Sequence, residues 1–478
     1  MRVRALISRL VGSGPLWVFA RFAISGSLML AFQLGAMRIY TLADIGIISV
    51  LMAVASLCAA AADLGAGVAA IHRQRAIVQE EVAATCGVLL TVLIPLVAGL
   101  WWYGDGQGIS AMIACILLVT PLQAVRILAV ADADRRLDFK VGATLEICES
   151  ALLFGGAMIL GGLGVGAWGF VLAVVMRALL GWLWTRNFRT WSMVPRWSAW
   201  TGMVPLWGYG LRFHSGSILT LVRVLAGPIL LGSMAGFSAV GLVDRAVFIA
   251  GAPLLFLGMA LNRILFPLLV TRTDDAQRTV FERSLWMSAA LDKLAFLAIL
   301  LLIGPLCERF LSSSYVALPS LVWVATIPGM VLGSFGCLVW PLFSSKGRTD
   351  LTLLLQAVSA GISWLLMPPL VSYFGLWGAM AVNLALWLPT FIPYLLVKRL
   401  LPGVRIMTPL IMTSVACGVA LMGALGLRWA CSPGLSGTIA IVSGAMGIYG
   451  VILMWMAPVE RGFLFARLRA SLKVEHAQ

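Results

Sequence analysis

The chain has 478 residues, 61% of them hydrophobic and 11% charged, with a mean hydropathy of +1.00; a soluble domain is about 45 to 50% apolar and about 25% charged. That composition excludes a soluble fold, and the apolar runs leave no polar block large enough to fold separately. The net charge of +15 would point to nucleic acid if it were gathered on one polar face, but it is spread through short loops.

A spanning helix needs about 20 largely apolar residues, and fourteen such stretches follow in order. The first covers residues 16–37, after a basic leader holding Arg2, Arg4 and Arg9. Its apolar run is too long for the core of a cleaved signal peptide, so it is expected to remain as a helix. Spans at 43–70, 82–103, 109–131, 141–162 and 165–186 complete a first set of six. A second set covers 205–232, 239–268, 285–306, 317–343, 351–373 and 376–397, and two more follow at 406–427 and 435–457.

Two tripeptides recur at one offset of 190 residues: Pro15-Leu16-Trp17 as Pro205-Leu206-Trp207, and Ser25-Gly26-Ser27 as Ser215-Gly216-Ser217. Six spans lie between the copies, so the halves should share orientation about an axis along the membrane normal. A glycine-aromatic hairpin closes each half, Gly162 to Gly169 in the first and Phe374 to Gly378 in the second. The expected fold is an all-α polytopic membrane protein with about 14 transmembrane helices. Residues 1–200 form one six-helix bundle and 201–400 a second, related by pseudo-two-fold symmetry. Residues 401–478 add two extra helices and a tail.

Short loops rich in Lys and Arg stay in the cytoplasm. With the N-terminus inside, twenty-three of the 34 basic residues fall in inner segments, and only Arg38, Arg309 and Arg428 in outer ones. Both termini are therefore expected to be cytoplasmic, and the charge records topology first, with anionic lipid contact second. Tryptophans at span ends, such as Trp101, Trp102, Trp191, Trp197 and Trp200, suit interfacial anchoring. The eight cysteines show no ligand spacing. Cys307 and Cys431 lie near outer helix ends, where an oxidising compartment would permit a disulfide.

Four stretches carry a family resemblance. Leu42-Ala-Asp-Ile-Gly46 with Ala62-Asp-Leu-Gly-Ala-Gly67 is similar to a first hairpin and second helix. Arg135-Arg-Leu-Asp-Phe139, then Leu145 and Glu146, is similar to a loop leading into helix five. Val240-Gly-Leu-Val-Asp-Arg-Ala246 and Asn262-Arg-Ile-Leu-Phe-Pro267 with Asp274 and Asp275 resemble the two ends of helix eight. In this order, over roughly residues 15–400, the chain resembles the polysaccharide transporters, or Wzx-type flippases, of the multidrug/oligosaccharidyl-lipid/polysaccharide (MOP) exporter superfamily. The resemblance implies a non-enzymatic flippase of the bacterial inner membrane. Such a protein moves a polyprenyl-diphosphate-linked oligosaccharide by alternating access, for export of O-antigen, capsule or exopolysaccharide. It implies membrane lipids and a polysaccharide polymerase or export machinery as partners, with no cofactor and no nucleic acid.

Charges inside spans are costly and usually face a bundle interior. Eight basic residues lie there, Arg21, Arg126, Arg177, Arg212, Arg223, Arg245, Arg263 and Lys293, against five acids, Asp63, Glu146, Glu149, Asp244 and Asp292. Arg126 and Arg263, near inner ends, are expected to snorkel. Arg212 and Arg223 are eleven residues apart, which brings both within about 20° on one helix face. Arg177 is expected to pair with Glu146 or Glu149, which share a face at i and i+3. Arg21, Arg212, Arg223 and Arg245 are the expected diphosphate ligands in a cavity between the bundles, since guanidinium forks match phosphate oxygens and stay charged when desolvated.

Two alternatives remain open. A cation-coupled drug exporter of the same superfamily would use Asp63, Asp244 and Asp292 for coupling, with Glu146 and Glu149 as coupling or structural carboxylates. A membrane glycosyltransferase or polymerase would want a large outer loop, yet no outer loop exceeds about a dozen residues on this span assignment. Asp132-Ala-Asp134 has the DxD spacing of sugar-nucleotide metal sites, but at an inner helix end beside Arg135 and Arg136. His72, His214 and His476 are scattered, and no metal or nucleophile motif appears.

Overall fold

A computed structural model describes residues 14–62, 65, 77, 79–102, 108–136, 138–188, 215–216, 218–270, 273–431 and 434–456. Among them the chain is all-helical. Thirteen helices are long and apolar enough to cross a membrane, and a shorter apolar stretch, Ile24–Ile39, belongs to the first helix. In chain order they are α1 (Gly14–Ile39), α2 (Leu42–Ala61), α3 (Gln79–Trp102), α4 (Ile109–Arg135), α5 (Lys140–Gly162), α6 (Ala167–Phe188) and α7 (Ile218–Ala235). Then follow α8 (Phe237–Val270), α9 (Asp274–Phe310), α10 (Leu318–Ser345), α11 (Thr349–Phe374), α12 (Leu376–Leu400), α13 (Met407–Cys431) and α14 (Leu435–Met456). The fourteen expected spans each find their helix.

The tight connections follow from local chemistry. Thr41 caps α2, its hydroxyl accepting from the Asp44 amide at 3.1 Å. The Asp44 carboxylate in turn accepts from the Ala167 amide at 3.3 Å, at the start of α6, where acid meets the positive end of a helix dipole. The turn it holds is the first glycine-aromatic hairpin, which places Gly164 and Gly166 at φ +81° and +62°, conformations costly for any side chain. The second hairpin turns through Gly375 at φ +55°.

Several helices are interrupted. α4 breaks at Val119, ahead of Pro121, and α12 passes through a short tight turn, Leu388–Thr390, at Pro389. α5 and α7 each contain a wider π-helical turn, Ala151–Gly155 and Gly227–Leu231, a feature often found at functional sites. In α9, Pro305 has no amide hydrogen to offer the Leu301 carbonyl four residues back. Arg428 of α13 supplies the missing donor, Nη1 to the Leu301 oxygen at 3.3 Å.

The chain forms two compact units. The first comprises Met1–Asp244 and Leu353–Val382, the second Arg245–Thr352 and Asn383–Gln478. In the first, Phe32, Phe154 and Phe170 stack between α1, α5 and α6, with ring centroids 5.5 and 6.2 Å apart. In the second, α13 and α14 lay Ala416, Ala420, Tyr449 and Leu453 against Leu297, Leu300 and Leu301 of α9, and the Tyr449 hydroxyl donates to the Ala290 carbonyl at 3.0 Å. Side chains such as Leu365, Met422 and Val451 are exposed, as a bilayer solvent requires.

α9 has 37 residues, about 55 Å of helix against an apolar core of about 30 Å. Its first turns therefore extend beyond the membrane at the end bearing the Lys- and Arg-rich loops, called here the basic end. Lys346 pairs there with Asp274 at 2.7 Å, and the Arg405 amide donates to Glu282 at 2.8 Å. Trp101, Trp102 and Trp429 are exposed at the opposite end, and Trp455 near the basic end of α14. Trp191, Trp197 and Trp200 lie outside the described residues. Cys307 is a free, buried thiol, and the side chain of Cys431 lies outside the described residues.

Candidate functional site

In the first unit, four helices bring charge together within the membrane. Arg126 of α4 lies about 14 Å from the basic end of its helix, Glu149 of α5 also about 14 Å, and Arg177 of α6 about 17 Å, at 1.5 Å per residue. That common depth lets them meet. Arg126 Nη1 lies 2.7 Å from Glu149 Oε2, and Arg177 Nε reaches the same oxygen at 3.4 Å. The Glu149 side chain is 0% exposed and that of Arg126 14%. The expected partnership of Arg177 with a helix-five carboxylate is thus an ion pair. Arg126 does not snorkel as expected, because a buried carboxylate at its own depth attracts it more than distant headgroups.

Gly181 of α6 leaves the room this pair needs. A Cβ there would lie 2.5 Å from Glu149 Oε1 and 2.7 Å from the Arg126 stem. One turn toward the basic end, Glu146 shares the face of Glu149 and pairs with Arg21 of α1, Oε2 to Nε at 2.9 Å. This outer pair is more accessible, 20% for Arg21 and 33% for Glu146. Four residues further along both helices, the Ser150 hydroxyl donates to Ser25 Oγ at 3.0 Å. α1 and α5 are joined in register by two polar contacts.

Arg223 stands in α7, about 18 Å from the end opposite the basic one. Its Nε is buried without a hydrogen-bond partner, and among the described residues no carboxylate pairs with it. The preceding turn is fixed by Trp364 of α11, whose indole N–H donates to the Val222 carbonyl at 3.0 Å. The π-helical turn begins four residues on, at Gly227. Arg212, expected on the same face, lies outside the described residues, as do Asp63, His72, His214 and His476; the side chain of Arg263 does too.

Asp244 of α8 accepts a hydrogen bond from Ser49 of α2 at 2.7 Å. The two helices approach closely here, since a Cβ on Gly46 would collide with the Phe237 carbonyl. Arg245, in the second unit, is 1% exposed and sits within electrostatic reach of Tyr315.

The second unit also holds a charge pair that sequence reasoning left unjoined. Asp292 and Lys293 of α9 are both fully buried, with Lys293 Nζ donating to Asp292 Oδ1 at 3.2 Å, and Ser334 of α10 donates to the other carboxylate oxygen. Cys337 of α10 and Cys417 of α13 surround it, donating to the Leu254 and Lys293 carbonyls. Neighbours in a helix sequence point about 100° apart, so only the long lysine stem makes this pairing feasible.

The DxD segment is structural in form. Asp132 is buried and accepts from Arg135 at 3.0 Å and Arg136 at 2.8 Å, closing the basic end of α4. No group of three His, Cys, Asp or Glu among the described residues could hold a metal ion.

Residues 37–318, more than half of the chain, match the polysaccharide biosynthesis protein family. The chain belongs to that family. Its fold is that of the MOP superfamily of membrane transporters. The structure of a lipid II flippase, MurJ, in an inward closed conformation superposes with a TM-score of 0.65 at 11% identity, covering 93% of this chain and 99% of that one. An outward-facing multidrug resistance MATE family transporter gives 0.54 at 14% identity, covering 82% and 97%. A MOP superfamily transporter from Pyrococcus furiosus with a binding pocket of reverse polarity gives 0.51 at 14% identity, covering 81% and 93%. At these identities the likeness is one of fold. Curated proteins offer no match to the chain.

Proposed function

We propose that this polysaccharide biosynthesis family member is a flippase for a polyprenyl-diphosphate-linked oligosaccharide, working by alternating access in a bacterial inner membrane with both termini cytoplasmic. The observation that carries the reading is Arg223, a guanidinium within a membrane span whose buried Nε has no partner among the described residues. Leaving such a group unpaired is costly, and a phosphate arriving from the bilayer would repay it with charge-assisted hydrogen bonds. The family match and the fold shared with the MurJ structure support the reading. Arg21, Arg212 and Arg245 are proposed as further phosphate ligands, and the glycan-handling polymerase or export machinery as partners. A cationic cargo is less well served, since Asp292 is already neutralised by Lys293.

The test is reconstitution. Proteoliposomes should accelerate leaflet transfer of a polyprenyl-diphosphate sugar over empty liposomes, and Arg223→Ala should lose transfer while inserting normally. Charge-assisted hydrogen bonds are worth about 1.5 to 3 kcal/mol, so substrate binding should weaken by about 10- to 150-fold. Wild-type protein that transfers no faster than empty liposomes would refute flipping, and full transfer by the variant would remove Arg223 from the mechanism.

A further inference from the structure

Arg21 is not idle in this structure. It pairs with Glu146 at 2.9 Å, while Glu149, one turn away, pairs with Arg126 and Arg177. Among the described residues these three guanidiniums pair with two carboxylates, and the sharing has a consequence. Withdrawing one partner from a buried pair strands the other, at a cost of about 3 to 5 kcal/mol. In this network Arg21 can leave without stranding Glu146, because Glu146 also lies in the field of Arg126. Glu149 has no such freedom, being wholly buried between its two partners. The exchangeable pair is therefore Arg21 with Glu146, which is also the most accessible pair of the network.

We propose that Glu146 is an internal stand-in for the substrate phosphate, occupying Arg21 in the empty protein and yielding it when the anionic headgroup binds. A carboxylate and a phosphate oxygen present the same acceptor to a guanidinium, so the two compete for one donor set. The competition holds substrate affinity below what Arg21 alone would give, and so sets how readily the headgroup is released. The inference rests on the flippase reading and adds to it a residue that tunes affinity. The Ser150 to Ser25 contact keeps α1 and α5 in register, so exchange needs only side-chain rotation.

The experiment measures binding of a polyprenyl diphosphate to the full-length protein in lipid nanodiscs. Glu146→Gln, which removes the charge and keeps the shape, should tighten binding by about tenfold, equal to about 1.4 kcal/mol, and slow turnover in proteoliposomes. Arg21→Ala should weaken binding, and the double variant should bind like Arg21→Ala alone. Glu146→Asp, with a shorter stem, should tighten binding to a smaller degree and serves if the glutamine variant is unstable. Unchanged or weaker binding by both Glu146 variants overturns the proposal and leaves the flippase reading standing. Equal tightening in the Arg21→Ala background overturns it too, because the effect would then be general charge removal. Absence of saturable binding by the wild type overturns both.

Discussion

Replacing Glu149 by Gln tests the charge network most directly. The change keeps the size of the side chain and removes the one opposite charge that pairs with Arg126 among the described residues. Breaking a buried pair costs about 3 to 5 kcal/mol when one charge is left behind. Arg126 keeps 14% of its side-chain surface, which argues for the lower end of that range. Arg177 adds little, since at 3.4 Å and 34% exposure its link is closer to a surface pair worth about 0 to 1 kcal/mol. The expected loss is about 3 kcal/mol. Denaturant unfolding of the purified protein in mixed micelles measures it, with Glu146→Gln as the control expected to lose less than about 1 kcal/mol. The paired change Arg126→Met with Glu149→Met should recover most of the loss, because apolar replacement of a buried pair is often neutral. If Glu149→Gln is as stable as Glu146→Gln, the four-helix network is not holding the first unit together.

Three further outcomes follow from the geometry. Gly181→Ala should destabilise by about 1 to 3 kcal/mol, as overpacking does, because the added methyl meets the Glu149 carboxylate; the same unfolding assay reads it. Asp292→Asn should cost about 3 to 5 kcal/mol by leaving Lys293 buried and unpaired, and Asp292→Leu with Lys293→Met should restore expression and thermal stability. Arg428→Met should cost about 1 to 3 kcal/mol through the orphaned Leu301 carbonyl, and adding Pro305→Ala, which returns the amide donor, should remove most of that penalty in a double-mutant cycle.

Much of the fold was legible because a bilayer imposes one strong rule, about 20 apolar residues per crossing. Where that rule is silent, the reading fell short. The first turns of α9, Asp274 to Arg283, are helical but too polar for a membrane window to notice. The break at Val119 and the two π-helical turns lie inside unbroken apolar runs. In the charge network, Arg177 with Glu149 could be read from spacing, whereas Arg126 was assigned by depth alone to the headgroups. Its partner came into view only with the helix ends: on the expected spans 109–131 and 141–162 the two residues lie at different depths, whereas in the structure Arg126 and Glu149 both lie about 14 Å from the basic ends of their helices. Asp292 and Lys293 were hidden by adjacency, since the helical wheel separates neighbours and says nothing of a lysine long enough to turn back.

The π-helical turn of α7 bears on how the chain tolerates insertion and deletion. Such a turn winds one extra residue into the helix, and a residue carries about 100° of rotation. Deleting a single residue between Gly227 and Leu231 would restore ordinary winding and leave the turn toward Ala235 facing as before, so that Leu231 stays buried. Arg223 precedes the turn and would keep its bearing. The same deletion made between Ile218 and Arg223, in ordinary α-helix, would swing the guanidinium itself onto another face, so one lost residue is absorbed on one side of Gly227 and displaces the proposed phosphate ligand on the other.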